Sequence, residues 1–313
     1  MSGLIYSVCT RPGLTVLMGE AGTGKTTLLY SLFDLLEKRQ FFTAMCTNPT
    51  LTRAEFYDIL MIKFGIDCGS SLKSRQLTAL EESIRRQRSE GRPTVLIVDE
   101  AQRLSPELLE EIRLLLNMET ATDKLLQIVM AGQPELGEIL RRPELRQLKQ
   151  RVSCVCKLKP LSTEELKEYL HRRVTRAGLP DQTLFPEDTI EAIHGYTQGI
   201  PRLVNSLCDS ALQTGFAMQS SKITLSILEE AAKDLDLIRA VERDELLPIK
   251  EMARMAAATV SNGATPKPLP VNGAQKNGQN GTNGKPKVRI PMDSYATRQK
   301  SVGFFGGLID RWK

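Results

Sequence analysis

Leu14-Thr15-Val16-Leu17-Met18-Gly19-Glu20-Ala21-Gly22-Thr23-Gly24-Lys25-Thr26-Thr27 joins an apolar run to a glycine-rich turn and a leucine-bearing segment. Leu14 to Met18 is a short apolar run of the kind that forms a buried strand. The glycines make the turn that follows, and from Thr26 to Arg39 the leucines recur at helical spacing. In such a strand, loop and helix unit the glycines let the backbone bend so that several N–H groups face a phosphate. The positive end of the helix faces the same point. Gly19 to Thr26 fits the phosphate-binding loop pattern. Lys25 is the residue type that neutralises β- and γ-phosphate oxygens, and the Thr26 hydroxyl is a hard oxygen donor suited to Mg²⁺. Thr27 can add a phosphate contact. A glycine turn that binds nothing is the bland alternative.

A second centre supports the first. Val95-Leu96-Ile97-Val98-Asp99-Glu100 ends an aliphatic run, Thr94 to Val98, with two carboxylates. Such a run reads as a strand buried on both faces of a parallel sheet, whose C-terminal edge is where α/β proteins bind ligands. Asp99 is the candidate for holding Mg²⁺ and Glu100 the candidate general base for a water; an acid pair capping a helix is the alternative. Gln133, after the strand Leu125 to Ala131, can orient that water or sense a γ-phosphate, or simply start the turn at Pro134. Arg146 and Arg151 precede the last strand, Val152 to Leu158. A guanidinium there can reach a phosphate of a neighbouring subunit, or belong to a solvated basic face. Arg202 begins a helix and can reach the phosphates from the lid side.

Phe41 to Thr47 is the next strand, and Thr52 with Glu55 forms a capping box for a helix to about Phe64. Ser74 to Glu90 is a helix, and Ser105 caps another with Pro106 in its first position. Strands and helices alternate as a doubly wound α/β sheet requires. After Pro160 strand signals stop. Ser162 and Glu165 give a second capping box, and helical patterns follow over about 164–177, 187–196, 201–218 and 226–236. The expectation is a P-loop α/β base over 1–160 and an all-helical lid over 161–240. Residues 241–313 would form a helical extension, then a disordered basic linker and an aromatic C-terminal motif. The linker, Ser261 to Lys287, is rich in Gly, Asn, Pro, Thr and Lys, which bury too little apolar surface to offset chain entropy.

Charge belongs to the tail. The chain of 313 residues has a net charge of +5, but nine Lys/Arg against two Asp/Glu lie from Asn262 onward, leaving 33 basic and 35 acidic residues in the body. That balance argues against a large surface tracking nucleic-acid phosphates. Six scattered cysteines without a CxxC pair, and two histidines, indicate neither a disulfide framework nor a zinc site. Cys154 and Cys156 alternate toward one face of a strand, for packing or for redox chemistry. No run of eighteen apolar residues suggests a membrane span. Together these favour the cytoplasm. Val302 to Lys313, with Phe304, Phe305 and Trp312, reads as a linear motif for a partner protein or the anionic inner face of the membrane, or else as a frayed terminus.

These residues resemble the AAA+ ATPases similar to general secretion pathway protein A, found also beside exosortase and polysaccharide-export genes. The likeness is carried by Leu17 to Thr27, Asp99-Glu100-Ala101-Gln102, Glu111 to Leu115, Gly132-Gln133-Pro134-Glu135-Leu136, Pro143 to Leu148 with Gln150-Arg151-Val152, and Gly199-Ile200-Pro201-Arg202-Leu203-Val204-Asn205 with Leu207-Cys208-Asp209. The resemblance implies an ORC/Cdc6-like AAA+ domain that binds ATP with Mg²⁺ and hydrolyses it. It implies Gln133 at the sensor-1 position, Arg202 as the lid's sensor-2 arginine, Arg151 as the better trans-acting finger, and homo-oligomeric assembly. It also implies service to a secretion or polysaccharide-export system of the cell envelope, with a protein partner there. Members usually have more residues before the position of Leu4, and the secretion branch has a transmembrane helix and a peptidoglycan-binding region where this chain has its linker. Transposition and origin-recognition ATPases share parts of these motifs and supply the alternative, a DNA-associated ATPase. A nucleotide switch with little turnover is a third reading.

Overall fold

The computed structural model describes residues 2–10, 13–48, 50–120, 124–179 and 184–238. The extension, linker and aromatic motif expected over 241–313 lie outside the described residues. Two compact units are present. One is Met1–Leu166 with Thr197–Cys208, and the other is Lys167–Tyr196 with the described residues from Asp209 onward.

In chain order the elements are α1 (Ser2–Thr10), β1 (Leu14–Gly19), α2 (Lys25–Lys38), β2 (Phe42–Cys46), α3 (Arg53–Phe64), α4 (Lys73–Ser89), β3 (Thr94–Val98) and a 3₁₀ turn (Ala101–Arg103). There follow α5 (Pro106–Leu115), β4 (Leu126–Gly132), α6 (Glu135–Ile139), a second 3₁₀ turn (Pro143–Leu145), α7 (Arg146–Gln150) and β5 (Val152–Leu158). The helices α8 (Thr163–Arg176), α9 (Glu187–Thr197), α10 (Pro201–Ala217) and α11 (Leu225–Asp234) complete the described chain. No helix among the described residues is long and apolar enough to cross a membrane.

The five strands form one parallel sheet in the order β2-β3-β4-β1-β5. Because side chains alternate between faces, each strand feeds two cores. Val16, Leu96, Val98, Ile128 and Met130 share a core with Phe56, Tyr57 and Leu60 of α3, Leu80 and Ile84 of α4, and Leu108 and Ile112 of α5. Their neighbours Leu17, Val95, Ile97, Val129 and Ala131 share the other with Leu4 and Val8 of α1 and Leu29, Leu32 and Leu36 of α2. Each fully buried leucine or isoleucine contributes about 1.5–3 kcal/mol. Both faces are therefore covered, as parallel sheets require, and the expected doubly wound α/β sheet is the fold observed.

Local signals account for the boundaries. The Thr52–Glu55 capping box forms in both directions, with Thr52 Oγ1 accepting from the Glu55 N–H at 3.3 Å and Glu55 Oε2 from the Thr52 N–H at 2.7 Å. Gly65 closes α3 in the left-handed conformation, φ 64°. Ser105 accepts from the Leu108 N–H at 3.3 Å at the start of α5. Ser162 and Glu165 repeat the box before α8. Cys154 and Cys156 do share a face of β5, with Sγ atoms 3.9 Å apart. In the second unit the Ile223 N–H donates to the Leu184 carbonyl at 2.9 Å, and the Thr189 hydroxyl to the Ile223 carbonyl at 3.0 Å, joining the segment before α9 to the one before α11.

Candidate functional site

Parallel pairing brings the C-terminal ends of β1, β3 and β4 to one edge, with Val98 opposite Met130 and Met18 opposite Gly132. The loop Glu20 to Gly24 springs from that edge. Gly22 and Gly24 adopt φ 82° and 94°, values that side chains with a Cβ rarely hold. Gly19 is needed for a different reason: a Cβ there would stand 2.8 Å from the Leu158 carbonyl of β5. Lys25, 5% exposed, opens α2 and folds back so that Nζ donates to the Gly19 and Glu20 carbonyls at 2.8 and 2.9 Å. The Thr23 hydroxyl donates to the Glu20 carbonyl at 2.8 Å. Thr27 is exposed on the first turn of α2.

The two centres singled out in the sequence meet. The Thr26 hydroxyl donates to Asp99 Oδ2 at 2.6 Å. Asp99 is buried to 2% exposure, and its other oxygen accepts from the Glu100 N–H at 2.8 Å. A buried carboxylate beside a hydroxyl is a pair of hard oxygen donors, the donor type Mg²⁺ takes. Glu100 itself sits at φ 52°, ψ 35°, a left-handed conformation uncommon for a residue with a side chain. Its Oε2 accepts from Gln102 Nε2 at 2.7 Å, and Gln102 Oε1 in turn accepts from the Gln133 N–H at 3.1 Å. Gln133 thus stands on the same edge, joined to Glu100 through a residue to which the sequence reading gives no role.

Thr197–Cys208 belongs to the same compact unit as the sheet. Its Arg202, at the start of α10, donates its backbone N–H to the Gly22 carbonyl at 3.2 Å, with an exposed side chain. Arg151 lies elsewhere. Its carbonyl accepts from the N–H of Leu14, the first residue of β1, whereas the loop follows the last. Six residues of strand span about 17 Å. Its guanidinium donates to Asn117 Oδ1 at 2.9 Å. Arg146, exposed in α7, lies on the same segment before β5. The structure brings together Gly19 to Thr27, Asp99, Glu100, Gln133 and Arg202, and leaves both arginines before β5 outside that group.

An AAA domain model matches residues 9–140. General secretion pathway protein A of Aeromonas hydrophila is 37% identical over 243 residues, 76% of this chain but 44% of that protein. The chain thus spans less than half the length of this relative. Among solved structures, the RuvB Holliday junction branch migration motor of Thermotoga maritima superposes with a TM-score of 0.52 at 18% identity, over 80% of this chain and 74% of that one. Cdc6p from Pyrobaculum aerophilum gives 0.56 at 18% identity, over 74% and 65%. At such identities the two structures speak for the fold alone.

Proposed function

We propose, starting from a chain that carries an AAA domain with the P-loop AAA+ fold and resembles General secretion pathway protein A, that it binds Mg·ATP and hydrolyses it. The observation that carries the reading is the 2.6 Å bond from Thr26 to Asp99, which joins the phosphate-loop helix to the acidic strand end. When bound, Mg·ATP supplies the γ-phosphoryl group that is transferred to water. The chain's own residues divide the remaining work. The N–H groups of the glycine loop and the start of α2 face the phosphates, and Lys25 exchanges its two carbonyl partners for phosphate oxygens. Thr26 and Asp99 hold the metal, directly or through water. Glu100 orients and deprotonates the attacking water, and Gln133 senses the γ-phosphate. Arg202 reaches the phosphates from the lid, and Arg151 completes the site of a second copy.

At the level of the cell, the reading is an assembly or regulatory ATPase of a cell-envelope secretion or polysaccharide-export system, acting in the cytoplasm or at the inner face of the membrane through a protein partner. Likeness to a secretion protein over 76% of the chain supports it. The test is phosphate release by the purified chain beside Lys25→Ala and Glu100→Gln. The reading requires Lys25→Ala to lose nucleotide binding and Glu100→Gln to keep ATP without turning it over. Wild-type turnover by Glu100→Gln refutes the assignment of the base. Tight duplex-DNA binding with a steep salt slope would instead favour the DNA-associated alternative.

A further inference from the structure

Gln102 uses both ends of its side-chain amide. Nε2 donates to Glu100 Oε2 at 2.7 Å, and Oε1 accepts from the Gln133 N–H at 3.1 Å. Turning the amide over would set oxygen against carboxylate and NH₂ against N–H, so the two partners fix its orientation. Three neighbours hold it there. The 3₁₀ turn Ala101–Arg103, closed by the Arg103 N–H on the Glu100 carbonyl at 2.9 Å, sets its backbone. Glu100 keeps its left-handed backbone, which aims its carboxylate back across that turn. Gly132 leaves the space, since a Cβ there would lie 2.7 Å from Gln102 Oε1.

We propose that Gln102 is a positioning residue that ties the Glu100 carboxylate to the end of β4, so that a shift of Gly132–Gln133 moves the base with it. The proposal rests on the ATPase reading and deepens it. One planar amide is a short rigid link: with Oε2 engaged, rotation of the Glu100 carboxylate is restricted and Oε1 is the oxygen left for water. A sensor at Gln133 and a base at Glu100 then respond as one unit. Gln102 touches neither nucleotide nor water in this role, so its loss should change turnover and leave binding alone.

The experiment compares the full chain with Gln102→Ala, Gln102→Glu and Gly132→Ala. Without nucleotide, hydrogen exchange at the Gln133 amide should accelerate in Gln102→Ala, because that N–H loses its acceptor. Mg·ATP affinity by titration calorimetry should stay within about twofold while kcat falls about tenfold. Gly132→Ala, whose methyl must displace the Gln102 oxygen, should lower kcat likewise, and the double variant with Gln102→Ala should show less than the product of the two losses. Gln102→Glu keeps the acceptor but replaces the donor with a carboxylate. Its kcat should therefore fall while the Gln133 amide keeps parental exchange. Parental kcat and parental exchange in Gln102→Ala overturn the proposal, and so does a loss of affinity equal to the loss of kcat. These outcomes leave the ATPase reading intact. A parent chain that is folded and turns over no Mg·ATP overturns that reading and this proposal with it.

Discussion

The backbone N–H of Arg202 donates to the carbonyl of Gly22 at 3.2 Å, so the tip of the phosphate-type loop is fastened to the first turn of α10 by a main-chain bond. A side chain at Gly22 would collide with this junction, its Cβ falling 2.8 Å from that of Arg202 and 3.1 Å from Ile200 Cγ2. At Gly24, equally left-handed, nothing lies within 4 Å of such a Cβ. The two glycines therefore separate backbone strain from collision.

Gly22→Ala should destabilise the chain by about 1–3 kcal/mol, and by clearly more than Gly24→Ala, which carries only the strain of its positive φ. Urea denaturation of the two variants checks this. Equal losses would mean that the junction with Arg202 yields freely.

Glu111 is 2% exposed and has three partners on two other helices. The Tyr57 hydroxyl donates to Oε2 at 2.7 Å, Lys73 Nζ lies 2.7 Å and Arg53 Nε 3.7 Å from Oε1. Burial, then the hydrogen bond to Glu111 and its charge, push the Tyr57 hydroxyl well above the usual tyrosine range. Glu111→Ala should cost about 2–3 kcal/mol, because it strands the buried Tyr57 hydroxyl, whereas the Lys73 ammonium, 44% exposed, can turn to water. Tyr57→Phe, which leaves the ion pair with Lys73, should cost about 1 kcal/mol. Chemical denaturation of both variants at neutral pH measures the difference.

Asp209 is 7% exposed, and its Oδ1 has no hydrogen-bond partner. Burial raises its pKa from 3.8 to about 6, partly offset by the Arg173 charge. Between those values the folded chain holds the proton more tightly than the unfolded one. Stability is therefore highest below about pH 4 as far as this group is concerned, and falls as pH rises through about 6. Asp209→Asn removes that dependence. It should exceed the parent by about 1–3 kcal/mol at pH 8, an advantage shrinking toward pH 4. Denaturation midpoints across this range decide it; parallel curves for the two proteins would show that Asp209 does not titrate there.

Arg151 stands at the start of β1 and the loop at its end, so any phosphate it serves belongs to another copy. Specific ATPase activity should then rise with protein concentration. Arg151→Ala should lose about a thousandfold in kcat, and mixing it with Lys25→Ala should restore part of the activity, since one variant supplies the nucleotide site and the other the arginine. A flat concentration profile with no gain on mixing argues against the trans role.

The sheet and its loop were legible because their signals are local. Glycines at 19, 22 and 24, the aliphatic run ending in Asp99-Glu100, and capping boxes at Thr52 and Ser162 each act within a few residues. Helix α1 has no local signal, since Ser2–Thr10 has no charged residue in its first or last turn, and its packing through Leu4, Val8 and the half-buried Ile5 is tertiary. The five-residue helices α6 and α7 are too short to establish a period. Gln102 stood within a quoted motif, but its contact with Gln133 spans 31 positions. The same is true of the Arg202–Gly22 bond and of the Tyr57–Glu111 pair. Spacing says nothing about such contacts until the sheet order is known.

The most direct test of the central claim, that the Lys25, Thr26 and Asp99 cluster receives a magnesium-chelated triphosphate, is titration calorimetry of the folded chain with Mg·ATP. Saturable heat at one site per chain is expected, abolished in Lys25→Ala and weakened when Mg²⁺ is chelated. Saturable binding that is unchanged in Lys25→Ala, or no binding at all by the folded chain, would contradict it.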